Sequence, residues 1–250
     1  MIERHAEVSY PSEWAALSSR ERERLEKTVD AVPADARTGL EIGFHDFRLT
    51  RGLERKLDLV SIDLPRKVDQ PGNARLVFSG IQRLPFRDAA FDIVLCTEVL
   101  EHLPDDVLQV GVRELSRVSR KYLLLSVPYR QRVWNEVFRC AHCGMVANTM
   151  DHVRFFDDRL LLRLFPGATL LTVELVGSIN GYAPDWLYWT ASRIGNAWQG
   201  LVYRDACPGC HRPPKAVTPN VLGYILQRII WRMERRARPR PAWVLALLRL

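Results

Sequence analysis

Four of the five cysteines fall into two pairs of identical spacing, Cys140-Ala-His-Cys143 and Cys207-Pro-Gly-Cys210. Two residues between thiolates let one tight turn present both sulfurs to a single ion. Two such turns supply the four ligands of a tetrahedral structural zinc. Gly144, after the first pair, and Pro208-Gly209, inside the second, are turn formers. Four thiolates leave no open coordination position, so the expected metal is a structural clip rather than a catalyst. His142, His152 and His211 are alternative ligands that four cysteines make unnecessary. Cys96 stands alone in an apolar run and reads as a core residue.

A second kind of chemistry sits where apolar runs end in polar groups. The first run is Leu40-Glu41-Ile42-Gly43, with an acid inside the run and a glycine that permits a sharp turn and close approach. The second, Val60-Ser61-Ile62-Asp63, ends in an acid that can accept from both hydroxyls of a ribose. The third, Phe91–Thr97, is followed by Glu98 and His102. A histidine or carboxylate there can act as a general base once an acceptor proton comes within about 3 Å. His102 is the favoured base, with Glu98 beside it and His152 as a further candidate.

Those groups need elements to hold them. Ser18-Ser19-Arg20-Glu21 is a capping box that opens a helix running to about Val32. Candidate strands are Gly39–Phe44, Leu57–Asp63, Leu76–Ser79, Phe91–Thr97 and Tyr122–Val127. Between the last two, Asp105–Arg120 carries a helical apolar stripe. Buried runs alternating with helices predict an α/β fold, a doubly wound, mostly parallel sheet covered on both faces. Beyond it, Asp157–Leu164 reads as a helix and Thr169–Gly177 as a strand, while 179–200 is rich in Trp, Tyr, Gly and Asn. The expected organisation is an N-terminal helical segment (1–37), a cofactor-binding core (38–135), a zinc-knuckle region with the rest of the sheet (136–219) and a basic amphipathic tail (220–250).

The charge is uneven. Of the net +7, +6 lies in 228–250, where seven arginines face one acid, so the body before it is close to neutral. That argues against reading the whole protein as a nucleic-acid binder. Leu222, Ile225, Leu226, Ile229, Ile230 and Met233 share one helical face beside these arginines, and a second apolar run, Ala242–Leu248, follows Pro239 and Pro241. The pattern predicts a tail that lies on an anionic membrane surface, the alternative being an apolar face packed on the protein with the arginines in solvent; neither spans a membrane, since no run approaches about 18 apolar residues. The first residues lack an apolar stretch of the secretory kind, and the expected location is cytoplasmic, on the inner face of the membrane.

The order LEIG, SID, RLPF-RDAAFDIVLCTEVLEHLPD and REL-SRVSRKYLLLSVPY resembles a class I S-adenosylmethionine-dependent methyltransferase of the type 11 kind, over about residues 38 to 130. The two knuckles, with Asp151-His152-Val153-Arg154-Phe155 after the first and Pro219-Asn220 after the second, resemble a zinc-bearing bacterial subgroup. The resemblance implies a Rossmann-like methyltransferase fold with S-adenosylmethionine as cofactor. Glu41 and Gly43 would lie at its methionine end, Asp63 at the ribose, Ile81 and Gln82 beside the adenine, and Thr97 and Glu98 near the methyl group. The sequence departs from the family at two positions of the glycine-rich turn, occupied by His45 and Phe47, and at Gly80, where an acid is usual. The resemblance implies methyl transfer; the basic tail and the aromatic-rich segment point to O-methylation of a sugar, glycan or lipid-linked small-molecule acceptor, with Tyr182, Trp186, Tyr188, Trp189 and Trp198 either a stacking surface for it or ordinary core. The alternative is a scaffold of the same fold whose altered turn excludes the cofactor; nucleic-acid binding ranks last.

Overall fold

A computed structural model describes residues 10–65, 75–198, 206–213, 215 and 217–250. In chain order its elements are α1 (Ser19–Asp30), β1 (Thr38–Ile42), α2 (Arg48–Leu53), β2 (Asp58–Asp63), β3 (Arg75–Phe78), β4 (Phe91–Thr97), α3 (Asp105–Val118) and β5 (Ser119–Pro128). There follow β6 (Val137–Arg139), β7 (Val146–Asn148), α4 (Asp158–Arg163), β8 (Thr169–Ile179), α5 (Asp185–Arg193), α6 (Val221–Arg236) and β9 (Arg240–Arg249). Ser18 caps α1 through the main-chain N–H of Glu21, as the capping box predicts.

The seven-stranded sheet has the order β3-β2-β1-β4-β5-β9-β8, and β6 with β7 forms a separate hairpin. The pairs among β1 to β5 are parallel, and β9 runs antiparallel to β5. Side chains on a strand alternate between faces, and both faces of the central strands β1, β4 and β5 are covered, whereas the edge strand β8 is largely exposed. Ile93 and Leu95 of β4 pack with Trp14, Leu25, Val29 and Leu53 on the side of α1 and α2. Val94 and Cys96, one residue out of phase, pack with Leu108, Leu115, Leu161 and Phe165 on the side of α3 and α4. Every residue of β4 is therefore buried, which is why its run reads as continuously apolar.

Two of the most specific sequence motifs serve this frame. Asp92 accepts the main-chain N–H groups of Arg37 and Thr38 through one oxygen, fixing the start of β1. Arg117 of α3 donates to the carbonyls of Leu84 and Phe86, and its neighbour Glu114 accepts from the N–H of Leu84. The Leu84-Pro85-Phe86 loop is thus clasped by one turn of α3.

The tail expectation is corrected in its second part. Ala242–Leu248 does not lie on the surface: it belongs to β9, paired with β5 from Pro128↔Trp243 to Tyr122↔Arg249 and buried from Val244 to Leu248. A seven-residue apolar run suits a strand that lies between β5 and β8 and pairs the outer row of N–H and C=O groups of β5. The first part is a helix, but its apolar face is divided. Leu226 and Ile230 are buried with Leu187 and Ala191 of α5, whereas Leu222, Ile225, Ile229 and Met233 are exposed.

Contacts group the chain into two units. One comprises the residues up to Tyr129, Phe156–Gly177 and Pro241–Leu250; the other comprises Arg130–Phe155 and Ser178–Arg240. The sheet core belongs to the first, and the cysteine knuckles, α5 and α6 to the second.

Candidate active site

Strand register assembles the first site. Ile42 pairs with Ile62 on one side and Cys96 on the other. The next residues, Gly43, Asp63 and Thr97, therefore leave three adjacent strands in one row at the carboxyl edge, where ligands of open α/β sheets bind. Gly43 has φ +85°, and a Cβ there would lie 2.5 Å from Cγ2 of Val99, so only glycine fits between the ends of β1 and β4. Asp63 is half-buried, and its Oδ1 accepts the N–H of Leu64 at 2.7 Å.

Glu41 is 1% exposed, and its Oε2 accepts from Thr50 of α2 and Ser61 of β2, each at 2.7 Å. Burial pushes its carboxyl up to about 7, against the opposing pull of these two hydroxyls. One acid thereby ties β1, β2 and α2 together beneath the glycine turn.

The altered turn keeps its backbone path. Phe47 takes φ +61°, the left-handed conformation a glycine would supply, at the position preceding α2. Its ring is buried and stacked on Phe44 at 4.8 Å, with Phe78 edge-on to Phe44 at 6.1 Å. His45 is exposed. The bulk of these side chains is thus absorbed by an aromatic cluster or by solvent. With the glycine at the turn and the carboxylate beyond β2 both in place, the row fits a nucleoside-type cofactor. Of the two residues placed beside the adenine, Ile81 is a core residue packed over Gly111 of α3, and Gln82 is exposed.

Beyond β4 the chain turns through Glu98 at φ +56°, held by its N–H to the carbonyl of Ser126. The Glu98 carboxylate accepts the indole N–H of Trp243 at 2.7 Å and the hydroxyl of Ser126 at 3.4 Å. Arg24 of α1 lies 5.1 Å over the same indole. Burial raises the Glu98 carboxyl, while Arg24, Trp243 and Ser126 pull it down. Glu101, one helical turn on, is also buried, and neither side-chain oxygen has a partner on another described residue. Burial and then the charge of Glu98 hold its carboxyl well above the usual range. A ring nitrogen of His102 lies within 4.8 Å of a Glu101 oxygen, and burial keeps that imidazole's proton affinity low.

Around Glu98 the structure sets Glu101, Trp243 and Arg24, and His102 lies beside Glu101. Glu101 was legible as the second acid in Glu98-Val-Leu-Glu101. Trp243 and Arg24 were not, since they reach Glu98 from opposite ends of the chain. The other candidate base, His152, is buried in the second unit with its Nδ1 against Gln131.

The four knuckle cysteines are brought together, their sulfurs all within 4.8 Å of one another. Cys140–Cys143 forms the turn of the β6–β7 hairpin, closed by Cys140 N–H to Met145 O, with Gly144 at φ +74°. Sulfur separations across the knuckles are 4.0 Å for Cys140–Cys210 and 3.7 Å for Cys143–Cys207. A tetrahedral zinc with thiolates at about 2.3 Å requires about 3.8 Å between sulfurs, whereas a disulfide requires about 2.0 Å. Gly209 packs close to the site: a Cβ there would lie 3.1 Å from Met145 Cβ and 3.3 Å from the Cys143 sulfur. The main-chain N–H groups of Cys143 and His142 lower the Cys140 thiol, while, against the N–H of Met145, burial and the neighbouring cysteine sulfurs raise that of Cys143.

Residues 40–125 match the family model described as a methyltransferase domain. Those residues carry a methyltransferase domain, and the chain is an enzyme that transfers methyl groups from S-adenosylmethionine. Three solved structures share its fold. A protein from Bacillus halodurans described as a methyltransferase is 14% identical, with 90% of this chain and 97% of that one covered and a TM-score of 0.55. An S-adenosylmethionine-dependent methyltransferase from Archaeoglobus fulgidus is 12% identical, with 91% of each chain covered and a TM-score of 0.51. A Haloferax volcanii complex of the Trm112 methyltransferase activator with a methyltransferase gives 12% identity, 96% and 99% coverage and a TM-score of 0.52. No curated protein matches the chain. No helix among the described residues is long and apolar enough to cross a membrane.

Proposed function

We propose that this enzyme methylates a hydroxyl oxygen of a sugar, glycan or lipid-linked acceptor. The observation that carries the reading is the row Gly43, Asp63 and Thr97 at the carboxyl edge, with Glu98 and His102 immediately beyond it. Bound S-adenosylmethionine supplies a methyl group already activated on a sulfonium. The protein's task is then to position the acceptor, exclude water and accept a proton. Asp63 holds the ribose hydroxyls, with Gly43 and Glu41 toward the methionine end, Ile81 and Gln82 toward the adenine, and Thr97 bordering the methyl. His102 takes the acceptor's proton, because its lowered proton affinity keeps it neutral near pH 7, while Glu98 orients the hydroxyl. The structural zinc on Cys140, Cys143, Cys207 and Cys210 organises the second unit and takes no part in the transfer.

The exposed stripe Leu222, Ile225, Ile229 and Met233, with Arg228, Arg232, Arg235 and Arg236 around it, supports docking of α6 on an anionic membrane surface. On this reading the enzyme works in the cytoplasm, at the inner face of the membrane. Calorimetric titration with S-adenosylmethionine and S-adenosylhomocysteine tests the central reading. Micromolar binding that falls at least tenfold in Asp63→Ala, in a variant that keeps its melting temperature, is the expected result. Absence of binding to either ligand would remove it.

A further inference from the structure

The second unit contains a cleft of about 690 Å³ between the β6–β7 hairpin, α5 and α6. Its size lies in the range of pockets for multi-ring ligands. Three of its lining tryptophans are open to solvent: Trp134 at 54%, Trp189 at 60% and Trp231 at 55%. Trp198 and Tyr188 line it as well and are buried. Three indoles from three separate elements, exposed around one cavity, are an unusual expense of apolar surface for a wall that faces only water.

The remaining lining residues decide what ligand suits these rings. Asn135, Asp185, Arg193, Gln227 and Glu234 interrupt the aromatic wall. Several are fixed in orientation: Asp185 accepts from Arg132 at 2.8 Å and Asn135 at 3.1 Å, and Glu234 accepts from the Tyr188 hydroxyl at 2.5 Å. Arg193 lies 5.5 Å over the Trp198 ring. A purely apolar guest such as an acyl chain would bury these polar groups without partners. The charges of the wall balance, Asp185 against Arg132 and Glu234 against Arg193, so a phosphate-bearing guest meets no net positive site. A neutral, hydroxyl-rich ring satisfies both sets, with its C–H faces on the indoles and its hydroxyls on the planar amide, carboxylate and guanidinium groups.

We infer that this cleft is a binding site for a neutral carbohydrate. The inference deepens the proposed function by naming the acceptor class, and it rests on that reading for the link to methyl transfer. The site itself is a property of the second unit and is tested separately.

The test applies the full-length protein to an array of immobilised glycans and measures affinity for retained ones by titration of tryptophan fluorescence. Calorimetry with S-adenosylmethionine is run on the same preparation. Retention of neutral oligosaccharides is expected, with affinity falling tenfold or more in Trp189→Ala and in Trp231→Ala. Both side chains are exposed, so these variants keep the fold, and unchanged near-ultraviolet circular dichroism of the remaining aromatics checks it. Trp189→Tyr, which preserves a flat ring, restores most of the binding. Retention of anionic glycans alone, no retention at all, or binding unaffected by both alanine variants would overturn the inference. Cofactor binding without glycan binding removes the carbohydrate site and leaves the methyltransferase reading standing; glycan binding without cofactor binding does the reverse.

Discussion

The indole N–H of Trp243, in the last strand of the chain, donates to the carboxylate of Glu98 at the end of β4, 2.7 Å away. The two residues are 145 positions apart and meet because β9 lies antiparallel beside β5. Gly177 of β8 permits it: a Cβ there would come within 2.9 Å of the Trp243 ring.

Removing this donor isolates its effect on Glu98. Trp243→Phe keeps an aromatic ring against Gly177 but withdraws a hydrogen bond from the charged form of the carboxyl, whose pKa burial already raises. The Glu98 carboxyl should therefore rise further. The acidic limb of the pH–rate profile is expected to move to higher pH. A profile that does not move, in a variant of unchanged melting temperature, would show that the charge of Glu98 plays no part in orienting the acceptor.

Glu41 predicts an effect on stability. Its folded-state pKa of about 7 exceeds the usual 4.5, so the folded chain holds a proton that the unfolded chain has already released. Stability therefore falls as pH rises through that window, by on the order of 3 kcal/mol in total. Glu41→Gln retains an oxygen for Thr50 and Ser61 but cannot ionise. It should be more stable than the parent above pH 7 and lose the slope, as measured by urea unfolding at several pH values. Equal slopes in the two proteins would contradict the assignment.

The knuckles predict stoichiometric zinc. Elemental analysis of the purified protein should find one zinc per chain, and Cys143→Ser should abolish it. Because metal binding is coupled to folding, loss of the ion is expected to lower the stability of the second unit by several kcal/mol. Zinc content unchanged in Cys143→Ser would place the metal elsewhere.

The α6 arginines predict a lipid dependence. Each contributes about 1 kcal/mol near an anionic surface, so Arg232→Gln with Arg236→Gln should reduce partitioning about thirtyfold. Sedimentation with vesicles containing phosphatidylglycerol measures this, with pure phosphatidylcholine as the control. Equal binding to both vesicles would leave the arginines as solvated charges.

Much was determined by the sequence itself, because it depends on local pattern. The runs of β1, β2, β4 and β5 read as buried strands since both faces of each are covered, and the capping box and the helical stripe of α3 are short-range signals. The cysteine knuckles were legible because a two-residue spacing is itself the geometry a metal requires. What local pattern could not decide was partnership. Ala242–Leu248 has the composition of a membrane-facing patch and of a buried strand alike, and only the vacant edge of β5 assigned it to the sheet. The same docking brought Trp243 to Glu98, and α1 brought Arg24, neither of which any spacing in the chain announces. The apolar face of α6 was likewise continuous in sequence, yet α5 is wide enough to cover only Leu226 and Ile230, and the remainder was left exposed by packing.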